Sequence, residues 1–107
     1  IDIWSVGCVL AELELGRPLF PGRTDIEQMD VICRILGTPS DEIWTGVYKL
    51  PCYESIWKNL TSYNSTLRSS CSNRLSDSLI DLLERVLVYD PSRRVSAKIV
   101  LSNKYFL

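Results

Sequence analysis

An all-α fold is what the sequence predicts, and three observations carry it. Apolar residues recur at intervals of three and four in several separate stretches, which is the period of a helix. Ser or Thr stands ahead of most of these stretches and Gly or Pro behind them, as helix starts and stops require. No alternation of apolar and polar residues is sustained over four positions, so no half-buried strand is expected. The pattern amounts to about four main helices and one long irregular insert.

The first helix is predicted over 1–15. Ile1, Ile3, Trp4, Val6, Gly7, Cys8, Val9, Leu10, Ala11, Leu13 and Leu15 are apolar or small, too many for one stripe, and a helix apolar nearly all round belongs in the middle of a structure. Gly16 is placed to end it as a left-handed cap, and Pro18 and Pro21-Gly22 keep the next stretch in a loop. Thr24-Asp25-Ile26-Glu27 has the form of a capping box. Ile26, Met29, Ile32, Cys33 and Leu36 then make a one-sided apolar face, closed by Gly37. Thr38-Pro39-Ser40 offers a further N-cap, with Asp41 and Glu42 in the favourable first turn and Trp44 as an anchor.

From 55 to 76 the composition shifts to Ser, Asn and Thr, which predicts an irregular excursion. Leu60, Tyr63, Leu67 and Cys71 are also spaced to form one face of a short helix. Ser76 caps a clear helix carrying Leu79, Leu82, Leu83, Val86 and Leu87, with Leu75 placed to staple against Ile80. Asp90-Pro91 stops it. Ser96 caps a last short helix with Ile99, Val100 and Leu101, and Tyr105-Phe106 folds back as an aromatic anchor.

Composition narrows the function classes. A chain of 107 residues allows one domain at most, and 46% apolar with 23% charged residues excludes collagen-like and wholly disordered readings. A net charge of −1 and the lack of a long apolar run speak against nucleic acid and membrane as partners. The charge is uneven, with nine acids and four bases in 1–57 against four acids and eight bases in 58–107. Zero histidines remove Ser-His-Asp hydrolases and histidine-ligated zinc enzymes. Cys8, Cys33, Cys52 and Cys71 form no C-x-x-C pair, and Cys8 and Cys33 fall within helical apolar patterns, which predicts reduced thiols in an intracellular protein, nuclear or cytoplasmic. The triplets Asn59-Leu60-Thr61 and Asn64-Ser65-Thr66 would matter only in a secreted chain. The chain opens on Ile1 and its one methionine is Met29, which predicts a piece of something longer.

Direct catalysis finds no support. The glycines at 7, 16, 22, 37 and 46 never approach a phosphate-cradling motif. The acid pairs Asp41-Glu42 and Glu12 with Glu14 read as solvated faces, because carboxylates at these spacings diverge on a helix. No catalytic, cofactor-binding or metal-binding residue is therefore assigned.

The specific signal is a succession of phrases. In order they are Asp2-Ile3-Trp4-Ser5-Val6-Gly7-Cys8, Ala11-Glu12-Leu13, Arg17-Pro18-Leu19-Phe20-Pro21-Gly22, Leu36-Gly37-Thr38-Pro39 with Trp44, Asp90-Pro91-Ser92-Arg93-Arg94-Val95-Ser96-Ala97, and Tyr105-Phe106. Together they resemble the C-terminal lobe of a eukaryotic Ser/Thr protein kinase across essentially the whole chain. The middle phrases are similar to the CMGC group and its cyclin-dependent kinases, and Lys49-Leu50-Pro51 looks like the transcription-associated branch.

That resemblance implies that 1–107 is the C-terminal helical part of the large lobe of a kinase domain, with the insert at about 55–76. It implies that the first helix is the central helix of the lobe, enclosed on all sides. Asp2 would accept hydrogen bonds from backbone N–H groups of the catalytic loop, Trp4 would support it, and Arg94 would pair with a glutamate at the end of the activation segment. Trp4, Phe20, Trp44 and Tyr105 read as packing anchors with or without the resemblance. The Gly-rich loop, strand lysine, H-R-D and D-F-G motifs of the family lie before this segment. ATP and magnesium, a cyclin and protein substrates thus belong to the intact parent, and this segment's own partner is the rest of the kinase domain. The alternative is a non-catalytic helical interaction module that binds through 24–36 and the excursion after it.

Overall fold

The structure, a computed structural model, describes residues 2–51, 53–57 and 61–106. Among these the regular elements are all helical: α1 (Asp2–Leu15), α2 (Asp25–Leu36), α3 (Leu67–Cys71), α4 (Asp77–Val86) and α5 (Ala97–Leu101), with single 3-10 or π turns between and after them. Among the described residues no helix is long and apolar enough to cross a membrane. Ile1, Cys52 and the Asn59 and Leu60 positions of the insert lie outside the described residues. The chain folds as two compact units, one formed by Ile1–Leu19 with Leu67–Leu107 and the other by Phe20–Thr66.

The core of the first unit is α4. Its start is fixed by Ser76, whose hydroxyl accepts from the Leu79 amide, and its apolar stripe is buried at Leu79, Ile80, Leu82, Leu83 and Val86. Both staple residues, Leu75 and Ile80, are buried as well. α1 approaches α4 at Gly7, so closely that a β-carbon there would lie 2.7 Å from Cγ2 of Val86. Enclosure of α1 on all sides, which the resemblance implies for the intact lobe, is not reached within this chain, which leaves an apolar surface of the helix open. Gly7 and Ala11 are its buried positions, while Val6, Val9 and Leu13 are 39%, 54% and 75% exposed. α4 is its main neighbour, and one helix covers one side of another. α1 ends where Gly16 takes a φ of +75° and donates to the Glu12 carbonyl.

In the second unit α2 starts at Thr24, whose hydroxyl accepts from the Glu27 amide. The Glu27 carboxylate reaches back one residue further than a capping box prescribes and accepts from the Arg23 amide. Gly37 closes α2 at φ +92° and ψ 153°, not in the left-handed helical region, because the chain leaves directly into pairing with a distant segment. Thr38 donates its amide to the Tyr63 carbonyl, its hydroxyl bridges the Thr61 carbonyl and the Tyr63 amide, and the Thr66 amide donates to Ile35. Thr38 is thus spent on the 61–66 strand-like stretch instead of on capping a helix.

After Ser40 there is one turn, with the Trp44 amide donating to the Ser40 carbonyl, and no α-helix. Asp41 accepts from the Gly46 amide and Gly46 sits at φ +84°, which turns the chain before a second helical turn can form. The excursion contains a π turn at Tyr53–Trp57 and ends in α3, where Leu67 and Cys71 share a buried face while Tyr63 precedes the helix. Free thiols are found at Cys8, Cys33 and Cys71.

Candidate functional site

Two of the three residues singled out from the sequence meet in space. Trp4, in the first turn of α1, lies beside Tyr89 with ring centroids 6.1 Å apart, and the Arg94 guanidinium stands 5.5 Å from the centre of the Trp4 ring. The stack combines cation–π attraction with packing. Arg94 is held there by Nε and Nη2, which donate to the Val88 carbonyl at 3.1 and 2.8 Å, and Nη2 reaches the Tyr89 carbonyl at 3.2 Å. These carbonyls follow the C-terminus of α4, where the backbone lacks helical partners and a cation is favoured. Asp90 fixes the following turn by accepting from the amide and hydroxyl of Ser92, bonds that hold its carboxyl below the usual carboxylate range. Asp2 stands exposed at the start of the helix that Trp4 anchors.

A second junction lies at the other end of α1, and the sequence reading missed it. Glu14, read as part of a solvated acid pair, accepts from the Ser76 amide at 3.0 Å, the Ser76 hydroxyl at 3.2 Å and the Tyr105 hydroxyl at 3.0 Å. One carboxylate thereby ties α1, the start of α4 and the C-terminal turn. Burial first, and Glu14 second, push the Tyr105 phenol above its ordinary pKa. Nothing in the sequence marks a contact made across 91 positions, apart from the choice of Tyr over Phe at 105. A third cluster joins α3 to α4, where Nη2 of Arg68 donates to both Asp81 and Glu84 at 2.5 Å and Lys104 pairs with Asp81 at 3.1 Å. Arg68 and Lys104 hold the Asp81 carboxyl low. The surface cleft beside them, about 450 Å³ and flanked by Arg85 and Ile99, is lined by acids already engaged in this network.

All three clusters are built from hydrogen bonds and ion pairs that join helices, and none presents an activated nucleophile. A sequence model of the protein kinase domain matches residues 1–106. The chain belongs to that family. Among its relatives, cyclin-dependent kinase C-3 of Oryza sativa subsp. japonica is 43% identical over 107 residues, covering 100% of this chain and 32% of that protein. Cyclin-dependent kinase B2-1 of the same plant is 42% identical over 106 residues, with 99% of this chain and 31% of the relative covered. Human cyclin-dependent kinase 11B is 42% identical over 106 residues, again 99% of this chain but 13% of the relative. The chain therefore spans a third or less of the length of these kinases. It is similar to the cyclin-dependent kinases of the CMGC group, and its all-helical fold agrees with the C-terminal lobe.

Kinase chemistry involves ATP and magnesium. Among the described residues no group of three or more Cys, Asp or Glu side chains is placed to hold a cation, and no glycine-rich stretch supplies a phosphate cradle.

Proposed function

We propose that this chain is the supporting part of a cyclin-dependent-kinase-like Ser/Thr kinase and adds no catalytic residue to it. In the intact kinase, which takes ATP, magnesium, a cyclin and protein substrates inside the cell, the segment holds the floor on which the catalytic loop rests. Asp2 accepts from backbone amides of that loop, and Trp4 keeps the first turn of α1 in place for it. Arg94 pairs with the glutamate that ends the activation segment. The reading is carried by the Trp4–Arg94 stack. The Val88 carbonyl occupies the Nε edge of the guanidinium, and Nη1 makes none of these bonds, so its two N–H groups are left for a carboxylate.

The test is made on the intact kinase. Asp2→Ala leaves loop amides unpaired at roughly 1–3 kcal/mol per buried group, so kcat is expected to fall at least tenfold while nucleotide affinity changes less than threefold. Unchanged kcat, or an equal loss in both, refutes the supporting role. The 107-residue chain alone, incubated with labelled ATP, magnesium and a Ser/Thr substrate, is expected to transfer nothing; transfer proportional to its concentration after repurification overturns the reading.

A further inference from the structure

We propose that Ser96 is an acceptor hydroxyl for a separate, arginine-directed Ser/Thr kinase. Among the Ser and Thr residues of the chain, Ser96 alone follows an arginine by three positions, and a second arginine stands at two, in Arg93-Arg94-Val95-Ser96. A kinase whose substrate groove carries carboxylates reads such a pair through charge-assisted, forked hydrogen bonds that lysine does not reproduce.

The structure presents the motif in a usable form. The backbone is extended at Arg94 (φ −77°, ψ 131°) and at Ser96 (φ −80°, ψ 163°), between a single 3-10 turn that ends at Arg93 and α5, which starts at Ala97, so entry into a groove requires only that turn and the first turn of a five-residue helix to open. Arg93 has 48% of its side chain exposed, and Ser96, Ala97 and Lys98 are exposed. The Ser96 oxygen accepts from the Ile99 amide at 3.4 Å, a long bond that does not use the hydroxyl proton. In the reaction Ser96 Oγ bonds to the γ-phosphorus of ATP and the bond from that phosphorus to the bridging oxygen breaks. ADP leaves with the electron pair, and the hydroxyl proton passes to the carboxylate base of the modifying kinase. Arg94 is the guarded half of the signal, since it must release the Val88 and Tyr89 carbonyls before it is read. Arg93 also has a partner, Asp90 at 3.6 Å, but its side chain is 48% exposed, so it carries most of the recognition.

The probe is the catalytic subunit of the cyclic-AMP-dependent protein kinase with magnesium and ATP, acting on the full chain. Expected is one phosphate per chain, mapped to Ser96 by tandem mass spectrometry, absent in Ser96→Ala and retained in Ser96→Thr. Arg93→Ala should lower kcat/KM at least tenfold and Arg94→Ala less. Amide exchange of α4 monitors the fold, and incorporation is expected to outpace it. No incorporation, incorporation elsewhere, a rate indifferent to Arg93→Ala, or phosphorylation no faster than α4 opens overturns the proposal.

Discussion

Replacing Gly7 with alanine tests the contact on which the first unit is built. The added carbon would sit 2.7 Å from Cγ2 of Val86, where carbon atoms prefer about 3.5–4.0 Å. Val86 is 1% exposed and sits within α4, so its stiff, branched side chain has little room to turn away. Overpacking of this kind costs roughly 1–3 kcal/mol, while Ala gains roughly 0.8–1 kcal/mol over Gly inside a helix, which leaves a net loss of about 0–2 kcal/mol. The single variant is therefore a weak test, and its combination with Val86→Ala is a strong one. Once the valine methyl is gone, the nearest atoms are leucine termini at 3.2 and 3.5 Å. These can give way, so Gly7→Ala should now stabilise by up to about 1 kcal/mol. The sign reverses, with a coupling of about 1–3 kcal/mol. Urea unfolding followed by circular dichroism, in trimethylamine oxide to hold the chain folded, measures all four corners of the cycle. Effects that add within about 0.5 kcal/mol would refute the packing argument. Gly16→Ala is the comparator: with φ +75° and nothing within 4 Å, it should destabilise through the backbone alone, whatever stands at 86.

Acid should act through Asp81 and Asp90. Both carboxyls are lowered in the folded state, so the stability they contribute is present above the unfolded carboxylate value of about 4 and is lost as pH falls through their folded values. The urea midpoint should drop below about pH 4, and Asp81→Asn should flatten that drop; an unchanged profile contradicts the ion-pair assignment. Glu14→Gln should lower the pKa of Tyr105 measured by ultraviolet titration, without bringing it fully to the ordinary phenol value of about 10, because burial is the larger cause; no movement would mean that the two groups do not touch in solution. The isolated chain should bind a hydrophobic dye along Val6, Val9 and Leu13 and melt broadly, and Leu13→Gln should cut the dye signal while shifting stability by less than about 0.5 kcal/mol. A dye-silent chain with a sharp melt above about 60 °C would show that α1 is covered.

What the sequence discloses is local. Thr24, Ser76 and Ser96 each act on an amide three residues ahead, and all three caps stand where the residue types put them. The α4 stripe is equally plain, because burial on one face repeats within ten residues. The helix expected after Ser40 stops at one turn because Asp41 accepts from the Gly46 amide and Gly46 takes a positive φ, while Thr38, offered as part of its cap, is drawn to Tyr63, 25 positions away, which a propensity argument does not see. Arg68 reaching Asp81 and Glu84, and Glu14 reaching Ser76, leave no periodic trace for the same reason. For the candidate site, resemblance picked out Trp4 and Arg94 as separate residues, and coordinates were needed to stack one on the other. The apolar pattern of α1 is wider than its burial because the pattern records every surface the helix is built to meet, whereas this chain supplies chiefly α4.

The split of the first unit bears on how the protein is made. Glu14 meets Ser76 across 62 positions of chain, and α1 has no α4 to pack on until that stretch has left the ribosome. At roughly 5–20 residues per second the wait is about 3–12 s, long compared with the microseconds in which a helix forms. During that interval the face of α1 that carries Gly7 and Ala11 waits for α4. A holding chaperone would shield that face in the meantime, and ribosome profiling of chaperone-bound nascent chains should show engagement with this stretch ending once α4 has cleared the exit tunnel.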